Sequence, residues 1–162
     1  MGKLGKKEEE LLYLFHQGTY YNAQEFMGAH QIRCRGVDGW RFRVWAPNAV
    51  AVSVTGDFNG WDPESAPMEK ISDSGVYEAF VKNARQGQNY KFCITTSTGE
   101  QVYRSDPYGF YFEEAVNRSS RLWDIGGYTW GDAKWMQKRR TQGDTNRLPI
   151  NIYELHLGSF MR

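Results

Sequence analysis

The pattern of apolar and polar positions changes period once along the chain. Glu8 to Gln17 sets Leu11, Leu12, Leu14 and Phe15 behind three glutamates and ends at Gly18. That order of acidic start, apolar stripe and glycine stop predicts a short helix. Tyr20 to Gly28 predicts a further helical turn, docked through Tyr21, Phe26 and Met27. From Gln31 the period becomes two. Trp40, Phe42 and Val44 share one face, and Arg41, Arg43 and Trp45 share the other, before Pro47-Asn48 closes the run.

The same alternation returns at Val50 to Val54, at Val76 to Val81 and at Tyr90 to Thr95. Val102-Tyr103 and Ser120 to Trp123 add two more candidates. Short strands separated by Gly, Asn, Asp and Pro turns predict an antiparallel sandwich with a core from about residue 31 to residue 124. Residues 126–148 lose both periods and read as a linker with one short helix around Trp135. Its basic cluster, Lys134, Lys138, Arg139, Arg140 and Arg147, reads as a solvated face. Ile150 to Leu157 then reads as one more strand, with some twenty-five aperiodic residues between it and the sandwich. A strand needs a neighbour, so the expectation is a partner strand outside this chain, at the front of a longer protein.

Composition narrows the function classes. The 162 residues carry 20 Lys and Arg against 19 Asp and Glu, a balance that argues against nucleic acid or a membrane surface as partner. A mean hydropathy of −0.68 is too polar for a membrane protein. The first residues are basic without the apolar core of a signal peptide, and Lys6 stands where a myristoylation signal wants Ser or Thr. Cys34 and Cys93 are too few and too far apart for a disulfide framework or a zinc pattern, which fits a reducing cytoplasm.

Catalytic and cofactor chemistry is not legible. His16, His30 and His156 show no zinc-binding spacing. Asp57, Asn59 and Asp62 fail as a calcium loop, because Trp61 sits where an oxygen ligand is needed and Asp62 where glycine is. No phosphate-binding glycine loop or nucleophile elbow occurs, and the sequon at Asn117 would need a secretory route. Glycoside cleavage needs paired carboxylates at a cleft. Asp57 with Asp62 reads as turn capping, and the adjacent Glu113 and Glu114 point apart. No cofactor, no metal and no catalytic residue is expected within these residues.

One feature stands above this background. Gly56-Asp57-Phe58-Asn59-Gly60-Trp61-Asp62 puts a large aromatic in a polar turn. The indole there is either a platform for the apolar face of a pyranose or a lid folded back over the core.

The residues around that turn carry a family resemblance. Phe42-Arg43-Val44-Trp45-Ala46-Pro47-Asn48 before it, Tyr90-Lys91-Phe92 after it and Asp106-Pro107-Tyr108-Gly109 make the chain closely resemble the family-48 carbohydrate-binding module. Tyr13-Leu14-Phe15, Met27-Gly28-Ala29-His30, Trp130 with Trp135-Met136, and Ile152 to Phe160 resemble the front of bacterial 1,4-α-glucan (glycogen) branching enzymes. The resemblance implies a mainly β protein: an immunoglobulin-like sandwich behind a short helix, then the first strand of a (β/α)₈ barrel. It divides the chain into a helical lead (1–30), the module (31–124), a linker (125–149) and that barrel strand (150–162). It implies an α-1,4-glucan partner and a catalytic barrel that makes α-1,6 branch points, whose catalytic carboxylates lie on later strands. His156, Gly158 and Ser159 receive no catalytic role. Carried over residue by residue, Trp61 would be the stacking platform, Lys91 a donor to sugar hydroxyls, Tyr103 a second ring where relatives often have tryptophan, and Asn59 a further hydrogen bond, a residue that turn formation explains equally well. The competing expectations are a sandwich that only braces the barrel, and the module of a debranching hydrolase or kinase subunit.

Overall fold

A computed structural model describes residues 4–114, 118–143 and 148–160, so the sequon asparagine Asn117 and the basic Arg147 lie outside the described residues. The chain divides into two units, Met1–Gly126 and Gly127–Arg162. Among the described residues no helix is long and apolar enough to cross a membrane.

The first unit opens with helix α1 (Lys6–His16). It starts two residues ahead of the expected Glu8 because the Glu8 carboxylate reaches back to accept the Gly5 N–H at 3.2 Å, satisfying one of the donors a helix start leaves free. The expected turn beyond Tyr20 is a single 3₁₀ turn, Ala23–Glu25.

Two antiparallel sheets follow. One orders as β1-β2-β5-β4, from β1 (Gly28–Cys34), β2 (Val37–Trp45), β4 (Glu69–Lys70) and β5 (Val76–Val81). The other orders as β3-β6-β9-β8, from β3 (Ala51–Gly56), β6 (Asn89–Thr95), β8 (Tyr111–Phe112) and β9 (Ser120–Arg121), with β7 (Gln101–Arg104) also paired to β6. The sandwich expected from the alternation is therefore present, with the two-residue strands β4 and β8 as members the alternation did not mark. The run from Gln31 to Trp45 is two strands, because Cys34 pairs with Val37 across Arg35-Gly36. Both turn residues have positive φ, 49° and 83°, which matches the right-handed twist of the strands they join.

The expected faces hold. Trp40, Phe42 and Val44 meet Val52, Val54, Tyr90, Phe92 and Leu122 in the core between the sheets. The opposite face of the first sheet is occupied by α1. Leu12, Phe26, Met27 and Val76 form a second apolar cluster there, and Phe15 packs edge-on against Trp45 at 5.8 Å. Arg43, on the polar face of the strand's alternation, is only 1% exposed. Its Nη2 donates to Glu8 on α1 at 2.5 Å and its Nε to Glu78 on β5 at 2.6 Å. Those bonds resolve how a strand can carry arginine under a helix: a buried cation needs partners on both sides.

Where β7 leaves the sheet, Asp106 is 1% exposed. Its carboxylate accepts the Tyr90 hydroxyl at 2.6 Å and the Tyr108 N–H at 2.8 Å. Burial outweighs those bonds and raises its pKa from 3.8 to about 6. The unfolded chain releases this proton first, so this group's contribution is full below about pH 4 and is lost as pH rises through 6. Between pH 7 and pH 4 the wild type should gain about 2 kcal/mol relative to Asp106→Asn, which does not titrate. Urea unfolding of both proteins across that range measures it, and a pH-independent difference would refute it.

The second unit holds α2 (Ala133–Thr141), the helix expected around Trp135, with no buried residue. Arg139 stacks on Trp135 at 5.5 Å. Ile150 to Leu157, expected as a strand, makes no ladder pairing among the described residues, since a strand forms only against a neighbour. Ile150 and Ile152 are 71% and 89% exposed, and the backbone turns at His156, whose carbonyl accepts the Ser159 and Phe160 N–H groups.

Candidate functional site

The exposed face of the second sheet collects the aromatic turn and its neighbours. In β6 the side chains of Tyr90, Phe92 and Ile94 go to the core, so the pleat sends Asn89, Lys91 and Cys93 to the other side. β7 sets Tyr103 opposite Cys93 on that same side. The turn after β3 then brings Trp61 over. Asp57, Trp61, Asn89, Lys91, Tyr103, Glu113 and Ser119 line one open depression of about 520 Å³.

Three of the four expected residues, Trp61, Lys91 and Tyr103, thus face one space. Asn59 does not line it. Its Oδ1 accepts the Gly56 N–H at 2.9 Å, and its Nδ2 donates to the carbonyls of Val54 and Asp62, each at 3.1 Å. Those three bonds use its amide to build the turn.

The turn is built to present the indole. Gly56 has no room for a side chain, since a Cβ there would lie 2.3 Å from the Asn89 carbonyl oxygen. Close approach of β3 to β6 at this point lets Asp57 reach both. Its Oδ2 accepts the Asn89 N–H at 2.8 Å and its Oδ1 accepts the Trp61 indole N–H at 3.0 Å. Trp61 itself sits at φ 63°, directly after Gly60, also at 63°. A left-handed backbone at a bulky residue costs on the order of 1–2 kcal/mol and persists only where its surroundings enforce it. Trp61 remains 38% exposed and Tyr103 43% exposed. The indole is thus anchored at its N–H edge while its ring stays partly open to solvent.

Burial and the neighbouring Cys93 thiol raise the Tyr103 phenol above its ordinary range, so at neutral pH it both donates and accepts. Lys91 supplies donors, while Asp57, Asn89 and Glu113 supply acceptors around the rings. The arrangement suits an uncharged ligand with apolar faces and hydroxyl edges. Sequence reasoning missed Asn89 and set Asp57 and Glu113 aside. Asn89 was within reach of the same alternation that exposes Lys91; the others depend on where the loops close. A larger depression, about 800 Å³, lies elsewhere, beside Cys34, Phe58, Pro67 and Phe80, and no tryptophan lines it.

Residues 26–109 match the model of the family described as carbohydrate-binding module 48 (isoamylase N-terminal domain). The chain is 45% identical over 148 residues to the 1,4-alpha-glucan branching enzyme GlgB of Chlamydia abortus, which covers 91% of this chain and 20% of that protein. It is 42% identical over 150 residues to the enzyme of the same name from Butyrivibrio fibrisolvens, covering 93% of this chain and 23% of that protein. The chain thus spans about a fifth of the length of the curated relatives it matches. Among solved structures it resembles a type I pullulanase from Bacillus subtilis complexed with maltose, with a TM-score of 0.50 and 25% identity over 64% of this chain and 14% of that one.

Proposed function

The chain belongs to the carbohydrate-binding module 48 family, and from that premise we propose that its sandwich binds α-1,4-linked glucan and holds it for the catalytic barrel of a glycogen branching enzyme. Trp61 stacks on a pyranose face, Tyr103 provides a second ring, and Lys91 donates to hydroxyls. The observation that carries this reading is the anchored, half-exposed and backbone-strained indole of Trp61, an arrangement that a lid over the core would not need. A sandwich that only braced a barrel would have no use for it either.

In this reading residues 1–30 are a helical lead, 31–124 the binding module, 125–149 a linker and 150–162 the first strand of the barrel. The apolar side chains exposed along Ile150 to Leu157 and the branching enzymes that the chain resembles support that assignment. The parent protein transfers α-1,4-glucan chains to α-1,6 branch points, and these residues contribute proximity rather than catalysis. Two unpaired cysteines are compatible with the cytoplasm as its compartment.

Two rings at about 0.5–1.5 kcal/mol each beyond burial, with a few hydrogen bonds near 1 kcal/mol, place the affinity on the order of 0.1–1 mM. Calorimetric titration with maltoheptaose, against cellohexaose as the β-linked control, should show saturable binding of the α-linked chain alone. No heat with maltoheptaose up to about 5 mM would sink the proposal.

A further inference from the structure

The Trp61 platform leaves a second depression of the same unit unexplained. It has a volume of about 340 Å³, its floor is Trp40, and His30, Gln31, Phe110, Trp123 and Asp124 line it. Trp123 is 41% exposed and held in orientation, because the Tyr111 ring backs it at 5.3 Å between centroids with 32° between planes. Phe110 is held in turn by His30, edge-on at 5.9 Å. An exposed, braced indole among amide and carboxylate groups repeats the chemistry of the Trp61 site with different residues.

The two depressions are connected by side chains in contact. Asn89, which lines the first, accepts the Arg121 Nε–H at 3.1 Å. The Arg121 guanidinium lies 5.2 Å over the ring of Tyr111, its cross-strand partner, and Tyr111 stacks on Trp123, which lines the second. Polar groups and flat rings therefore continue from one depression to the other along β9 and β8. Such a track suits a linear polymer of pyranoses, whose rings offer apolar faces and whose edges offer hydroxyls. A polyanion would meet the carboxylates of Glu25 and Asp124 at the far end.

We infer that the Trp123 depression is a second glucan subsite, continuous with the Trp61 platform through Arg121 and Tyr111, so that a chain long enough to span both binds more tightly than one filling only the first. The inference rests on the glucan-binding reading of the Trp61 site. Once the first site is filled, engagement of the second is intramolecular, which converts one additional stacked ring into selectivity for length.

The full chain is titrated with maltotriose and with linear amylodextrin. The wild type should prefer amylodextrin beyond the statistical factor for its repeated sites, and Trp123→Ala should lower the ratio of the two affinities by about fivefold or more. Trp123→Leu, which keeps apolar bulk but removes the flat ring, should do the same and guards against loss of fold, checked by near-ultraviolet circular dichroism. Folded Trp123 variants with an unchanged ratio, or a wild type without length preference, would overturn the subsite. If Trp61→Ala abolishes binding in either case, the platform reading survives. If the wild type binds neither sugar, the platform reading fails and takes the subsite with it.

Discussion

Trp61→Ala is expected to weaken maltoheptaose binding at least about thirtyfold, because the central ring of a small site carries on the order of 2 kcal/mol or more. The fold should survive, since the residue is 38% exposed and the three hydrogen bonds that Asn59 makes in the turn, one accepted and two donated, remain. A companion variant separates the side chain from the backbone beneath it. Trp61→Gly should lose as much binding as Trp61→Ala yet be about 1 kcal/mol more stable than it, because at φ 63° an alanine meets the steric cost that glycine avoids. Glycine's greater freedom in the unfolded chain reduces the difference without cancelling it. Calorimetry gives the first quantity and urea unfolding the second. Undiminished binding in Trp61→Ala would remove the platform, and equal stability of the two variants would remove the strain.

Arg43→Ala should be among the most destabilising substitutions, by about 3 kcal/mol, which for a domain of this size corresponds to a fall in Tm of roughly 6–12 °C. The guanidinium bridges Glu8 and Glu78 and lies 4.0 Å from the centroid of the Phe26 ring. Its removal leaves two facing carboxylates and a cavity under α1. Glu8→Gln retains an acceptor for Arg43 and should cost only about 1 kcal/mol. Because an isolated helix of 11 residues is marginal in water, Arg43→Ala should also release α1 before the sandwich unfolds, which hydrogen exchange along Lys6–His16 would show. A wild-type Tm in Arg43→Ala would mean that the apolar cluster alone holds the helix.

How much of this could be read from the residues follows the range of the forces involved. Strands that alternate apolar with polar side chains announce themselves, so Trp40 to Val44 and Tyr90 to Ile94 were legible by period. The hairpin at Arg35-Gly36 was not, because its turn lacks the Asn-Gly or Asp-Gly signal that marks such loops. Arg43 reads as solvent-facing until a helix distant in sequence arrives to cover it. Within the site, the ring residues and Lys91 came through the family resemblance, whereas Asp57 looked like a turn cap. Its anchoring of the indole depends on Asn89, 32 residues away, and no local pattern reports such a bond. Asn59 was legible as a loop former, and the structure uses it in that way.

The placement of α1 also determines how the sandwich meets a particle rather than a single chain. With the helix packed on one sheet and the exposed rings of Trp61 and Tyr103 on the other, the first unit presents those rings on one side only. If the module binds glucan as proposed, such a body is monovalent toward a glycogen granule: it would coat the surface without joining one granule to the next, and a suspension mixed with it should stay as clear as before.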